Sequence, residues 1–352
     1  MKTTDTTDPT RLGAYVLPGR VADPRPAVGE ARAAEHLGLG SVWISERWGT
    51  KDLAVLAGAI GQATDTIRIA SGITHFLVRH PTVLASTAMT LQALTRGRFT
   101  LGVGRSTDAL WKAAGLPRMS NAVLTDSADI FRRLCRGERV SYDGPAGRFP
   151  SLRLGDLPSD VAPPPVLLAA IGPKTLALAG RRFDGAILHP FLTPEAVARS
   201  AALVRKAAEE AGRDPAAVRI HAEVVTAPDL TEAEENAVVG ARAVTYFQIP
   251  SFGETLAAAN GWDTAELEKL RSHPKLAGLR GAADNRFTRH ELLDVVGSLP
   301  PEWLATASAA GTAATCADRL RAYLDAGADE LILHGSTPEL LGPLLQHFTS
   351  AP

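Results

Sequence analysis

Cysteine is nearly absent: Cys135 and Cys316 are the only two in 352 residues. Both fall inside helical patterns, which argues against a disulfide framework and points to two reduced, half-buried thiols. An excess of one charge is lacking too. The formal net charge is −1, so neither nucleic acid nor a membrane surface has an electrostatic claim on the chain. No apolar run approaches the roughly 18 residues of a membrane span. The opening MKTTDTTDPT is polar and lacks the hydrophobic core of a secretory signal. These absences predict a cytoplasmic protein acting on a small molecule, with a homodimer left open. What is present is apolar bulk: 45% of residues are hydrophobic, ample for one large core. The excess of Arg over Lys and the abundance of Ala fit a GC-rich bacterial genome.

The stretch Thr66–Trp111 organises the rest. Ile67–Ile73 is a β-branched run, Pro81 can open a helix, and Val83, Leu84, Thr87, Leu91 and Leu94 follow at helical spacing. Gly97 stops that helix before the apolar strand Phe99–Val103. Two apolar strands joined by a helix make a parallel β-α-β unit. Similar units surround it. Strands are expected at Leu12–Leu17, Ser41–Ser45, Val166–Ala170, Asp184–Leu188, Val218–Thr226 and Asp329–Leu333. Helices are expected between them, one from Leu53 with Asp52 as its cap. Residues 136–165 read as a surface excursion with a small hairpin, because Gly, Pro and Asp crowd there. Residues 231–306 break the rhythm as an inserted helical subdomain before the last β/α unit. An excursion after the seventh strand should emerge beside the pocket mouth.

About eight β/α units close a (β/α)8 TIM barrel, an α/β fold carried here by a single domain over 1–352. The alternative is an open doubly wound sheet, but no Gly-rich turn follows the first strand, where that fold needs one. In either case ligands sit at the carboxyl edge of the strands. Gly72-Ile73-Thr74-His75 and Gly104-Arg105-Ser106-Thr107-Asp108 lie at that edge. Ile171-Gly172-Pro173-Lys174-Thr175 joins a strand to a helix, where free N–H groups suit a phosphate. His75, His189, His334, Glu46 and Asp108 all follow strand ends. No metal is expected, since the first strand, LGAYVL, carries no His-x-His pair. Tyr15, Trp48, Phe76, Trp111 and Phe191 could wall a pocket for a planar ring; Trp43, in mid-strand, reads as packing.

These residues carry a resemblance. E-x-L-G-x-x-S-V-W-I-S-E (35–46), I-R-I-A-S-G-I-T with R-H-P (67–81), G-R-F-T-L-G-V-G (97–104), A-A-I-G-P-K-T-L-x-L-A-G (169–180) and D-R-L-R-A-Y-L-D-A-G-A-D-E-L (318–331) resemble the luciferase-like flavin- and deazaflavin-dependent barrel enzymes. G-I-T-x3-R-H-P and A-A-I-G-P-K-T are most similar to the branch that uses coenzyme F420. The resemblance implies an oxidoreductase moving a hydride between C5 of the deazaflavin and a small organic substrate. An FMN-dependent monooxygenase is the first alternative, and a barrel that binds without turnover the second. It further implies that Ser71, Gly72, Ile73 and Thr74 form a bulge behind the ring, with a cis peptide between Gly72 and Ile73. Ala170, Ile171, Gly172, Pro173, Lys174 and Thr175 would hold the cofactor phosphate, with His189 near its tail. Glu46 would reach the ring, and Asp108 would sit where some members keep an acid. Glu46, Asp108 and His75 are the residues expected to assist proton movement; Arg47, Trp48 and Trp111 are expected to face substrate. One departure matters: where many relatives read Ser-Asp/Glu-His, this chain has Ser45-Glu46-Arg47. Arg47 cannot act as a base, but it can bind an anion.

Overall fold

The computed structural model describes residues 6–279 and 281–350; the first five residues of the polar opening lie outside it. Eight parallel strands close into a barrel. In chain order, β1 is Leu12–Val16, β2 Ser41–Ile44, β3 Arg68–Ser71 and β4 Phe99–Val103. A hairpin follows, β5 Val140–Gly144 with β6 Gly147–Leu152, antiparallel and irregular between Val140 and Tyr142. Then come β7 Val166–Ala170, β8 Gly185–Leu188, β9 Arg219–Pro228, β10 Ala309–Gly311 and β11 Glu330–Gly335. The ring runs β1-β2-β3-β4-β7-β8-β9-β11 and closes where β11 pairs with β1. The short β10 adds only to the outer part of β9. It escapes a sequence reading because three Ala and Gly residues carry no strand preference.

Helices pack around the ring, and their starts follow local chemistry. Asp52 accepts from the Val55 amide to cap Leu53–Ala63. Pro81, Pro173 and Pro194 open their helices in the first turn, where a missing N–H costs nothing. Cys135 and Cys316 are free but fully buried, not half-buried as expected. Each replaces an apolar side chain, and burial pushes both thiols up to about 12.

The barrel interior has two polar ends and an apolar waist. The waist is Tyr15, Trp43, Ala70, Leu167, Ile187 and Ile332. Below it, at the amino end, Ser41 and Arg68 donate to the Glu330 carboxylate, and Trp43 Nε1 donates to Ser41 Oγ at 2.7 Å. Residues 232–306 form short helices, among them Ala241–Phe247, Phe252–Asn260 and Pro301–Thr306. They have an aromatic core of their own, with Trp262 stacked on Trp303 at 4.6 Å. These helices lie across the carboxyl end of the barrel: Tyr246 and Phe252 pack on His189, and Asp284 pairs with Arg47.

Candidate active site

The carboxyl end is built around the segment after β3. The Gly72–Ile73 peptide is cis. The chain then continues beside β4, with Thr74 N donating to Gly102 O at 2.9 Å and Gly104 N to Thr74 O at 3.1 Å. Both glycines stand at close approaches. A Cβ on Gly72 would fall 2.5 Å from the Tyr15 hydroxyl, and one on Gly104 would fall 2.0 Å from Ile73 Cδ1.

Glu46 does not point into the barrel mouth as a free acid. Its carboxylate accepts from Arg79 Nη1 at 3.0 Å, from Arg79 Nη2, from the Thr74 hydroxyl and, at 3.3 Å, from the Leu53 amide. With its side chain 3% exposed, it is an anchor tying β2 to the Thr74 bulge, and Arg79 of the Arg-His-Pro run is its clamp. His75 is half-buried beneath the rim. Its Nδ1 lies 2.9 Å from Gly104 O, and its ring meets Trp111 edge-on at 4.9 Å. Burial lowers its pKa, so it is a neutral ring that donates to a carbonyl. Trp111 in turn donates to Arg105 O at 2.5 Å.

Asp108 stands apart from this group. It opens the helix Asp108–Ala113 and pairs with Arg118 at 3.0 Å, its side chain 60% exposed. A solvated carboxylate held by a surface cation is poorly placed to move a proton inside a barrel. The expected aromatic pocket also fails to assemble as a set. Tyr15 lies inside the barrel and Phe76 packs on Phe131. Phe191 packs on Phe247, and Trp48 is 53% exposed beside a groove of about 410 Å³ that also touches Glu46 and Arg47.

Across the rim, the turn Ile171–Thr175 presents the amino end of the helix Pro173–Arg182, with Lys174 exposed. A Cβ built on Gly172 would meet nothing nearer than Thr255 Cγ2 at 3.7 Å. The turn is therefore open; Pro173 has no N–H and the Thr175 and Leu176 amides bond to Gly172 O at 3.0 Å, so Lys174, with its amide and its side chain at the helix start, is the group that suits an anion. His189 sits nearby, sandwiched between Tyr246 at 4.5 Å and Phe252 at 5.0 Å. Burial pushes it down to about 4, so it is neutral near pH 7.

The sequence reading singled out Tyr15 and His334 but missed Glu223, Arg242 and Lys51, which join them in a polar cluster at the centre. Glu223 points inward from β9, Tyr15 from β1 and His334 from β11. Tyr15 Oη lies 2.8 Å from Gly72 O and 3.2 Å from Glu223 Oε2. Arg242, from the helix Ala241–Phe247, donates to His334 Nε2 at 2.8 Å. It also lies 3.8 Å from Asp284, which pairs with Arg47 at 2.9 Å. Lys51 is buried too and donates to Leu17 O and Gly19 O; desolvation, with Arg47 and Arg242 close by, lowers it to about 7. The signal was available in β9: His221 and Glu223 alternate within an apolar strand, and period-two spacing puts both inside the barrel. Among the described residues no group of three or more His, Cys, Asp or Glu is placed to hold a metal ion. No helix there is long and apolar enough to cross a membrane.

Comparison with known proteins places this geometry. The chain is 26% identical over 307 residues to a 5,10-methylenetetrahydromethanopterin reductase of Methanolobus tindarius, covering 86% of this chain and 87% of that one. It is 32% identical over 210 residues to an F420-dependent hydroxymycolic acid dehydrogenase of Mycobacterium tuberculosis, covering 56% and 57%. Its fold superposes on the coenzyme F420 dependent tetrahydromethanopterin reductase of Methanopyrus kandleri with a TM-score of 0.78, over 96% of this chain and 97% of that one, at 18% identity. The family model for luciferase-like monooxygenases matches residues 4–330, and the chain belongs to that family.

Proposed function

We propose that this protein is a coenzyme F420-dependent oxidoreductase that transfers a hydride between the deazaflavin and a small organic substrate. The observation that carries the reading is the open helix start at Gly172–Thr175, with Lys174 exposed on the same rim as the Gly72–Thr74 bulge. That arrangement fits a long cofactor with a planar ring at one end and a phosphate further along. Relatives named as F420-dependent, matched over half or more of the chain, favour the deazaflavin over FMN. When bound, the cofactor supplies a two-electron hydride step.

The protein's own part is to hold, orient and shield. Gly72, Ile73 and Thr74, with Ser71 beneath them, form the surface behind the ring. Ala170–Thr175 take the phosphate, and His189 lines the path between the two. Glu46 and Arg79 fix the bulge from behind. The helices of residues 231–306 cover the mouth and exclude water from the reacting atoms. Arg47, though paired with Asp284, is the first cation that an anionic substrate would meet beside Trp48. His75 and Trp111 support the rim from beneath.

The test is a turnover screen. Purified protein is mixed with reduced F420 and a panel of aldehydes, ketones, enones and imines, and separately with reduced FMN and oxygen. The reading expects F420 reoxidation that depends on a carbonyl or imine and consumes no oxygen. Turnover that requires FMN and oxygen would establish the monooxygenase instead. Tight cofactor binding without any turnover would establish the binding barrel.

A further inference from the structure

The hydrogen-bond pattern around Tyr15 can be counted. A phenol has one proton to donate. Tyr15 Oη has two oxygen neighbours, Gly72 O at 2.8 Å and Glu223 Oε2 at 3.2 Å. The shorter contact takes the phenolic proton, since a carbonyl can only accept. The contact to Glu223 is then a hydrogen bond only when Glu223 itself carries a proton and donates it. The other neighbours leave room for that state. Arg242 always donates, so His334 Nε2, 2.8 Å from Arg242 Nη2, accepts and the imidazole is neutral. The neutral ring, 4.0 Å from Glu223 Oε1, provides no counter-ion. His334 Nδ1 is buried with no hydrogen-bond partner among the described residues. Arg242 is directed to His334, Tyr246 and Asp284. On its own strand, His221 lies one layer below, packed on Trp43. Arg47, Lys51 and Arg289 lie beyond Arg242.

We propose that Glu223 is the acid–base group of the reaction, carrying its proton to the substrate heteroatom in reduction and removing it in oxidation, with Tyr15 as its positioning residue. The proposal rests on the F420 reading above. The Glu223 side chain is 11% exposed, sheltered inside the barrel. Tyr15 links it directly to the carbonyl of the Gly72 bulge. In the reducing direction the electrophilic carbon of a C=X bond gains a hydride with its two electrons from the reduced cofactor. The π pair moves to X, which takes the proton of Glu223 as a new X–H bond. Glu223 is left as a carboxylate and regains a proton from water. Desolvation pushes the carboxyl up to about 7 against the pull of Arg242, which suits a group that gives and takes protons near neutrality.

Infrared difference spectra of the cofactor-free, full-length protein across pH 5 to 9 provide the first test. The wild type is expected to lose a protonated-carboxyl band with a midpoint near 7, and Glu223→Gln is expected to lack that band. The second test compares the two proteins loaded with F420. Affinity should stay within about threefold, while single-turnover oxidation of reduced F420 by the best carbonyl compound of the screen falls about a hundredfold or more. Absence of the band in the wild type, or its persistence in Glu223→Gln, would overturn the proposal alone. So would an unchanged rate, or loss of F420 binding by the variant. A wild type that binds no F420 would overturn the function itself and the role given to Glu223 with it, whatever the infrared spectra show.

Discussion

Glu330 and Glu223 enter the same barrel from neighbouring strands, β11 and β9, one interior layer apart: Glu330 is level with His221, and Ile332 is level with Glu223. At the amino end, Glu330 is met by the Ser41 hydroxyl and the Arg68 guanidinium. At the carboxyl end, Glu223 has a shared phenol and a neutral imidazole. A buried carboxylate met by a hydroxyl and a guanidinium is pinned and locks its surroundings. A buried carboxyl left short of donors keeps a proton in reserve. The difference separates a plug from the proposed site in one barrel. It matches the rule that chemistry belongs to the carboxyl face of such barrels and stability to the amino face.

The largest effect expected from breaking this contrast is at the amino end. Arg68→Ala leaves Glu330 buried without its cation and should cost about 3–5 kcal/mol in denaturant unfolding. A loss below about 1 kcal/mol would mean that Glu330 is not held as an ion there. Glu223 should behave in the opposite way. Its folded-state pKa, about 7, lies above its ordinary value of 4.5. Its contribution to stability is therefore full below about pH 4.5 and lost as pH rises through 7, by up to about 3 kcal/mol. Half-buried His75 and His189 and buried His221 and His334 have lowered pKa values and act with the opposite sign in the same range. The measurement is thus the stability difference between wild type and Glu223→Gln at pH 5 and pH 8. That difference should shrink or reverse toward pH 8; a constant difference would contradict the assignment. Tyr15→Phe sharpens it, because the protonated carboxyl then loses the phenolic oxygen that accepts its proton, and the midpoint of the Glu223 band should move down.

Smaller effects are expected at the rim. Lys174→Ala should weaken F420 binding roughly fivefold at low salt without altering the thermal midpoint. Unchanged affinity would remove Lys174 from the site. Asp108→Asn should leave stability within about 0.5 kcal/mol and the turnover rate within about twofold. A hundredfold loss would restore Asp108 as the acid and displace Glu223.

The contrast also marks what could be read in the residues. Strands Phe99–Val103 and Val166–Ala170 are visible because buried parallel strands are continuous apolar runs. Asp52 and the prolines at 81, 173 and 194 announce helix starts through local chemistry, with no need of tertiary context. The cis Gly72–Ile73 step was anticipated through the family resemblance, not through propensity. Glu46 and Asp108 were legible only as positions. Whether an acid is clamped by Arg79 or solvated beside Arg118 depends on partners 33 and 10 residues away. Glu223 needed most: Tyr15 and His334 reach it from two other strands, with Arg242 held on His334, and no local pattern reports such a meeting. Residues 231–306 read as helical, but their place over the mouth rests on Asp284 meeting Arg47 and on Tyr246 meeting His189.

The most direct measurement is an equilibrium titration of the cofactor-free protein with F420 and with FMN, followed by the fluorescence of each ligand. The account predicts saturable binding of F420, about tenfold or more tighter than FMN, with the preference retained in Glu223→Gln. Tighter binding of FMN, or saturable binding of neither, would contradict it.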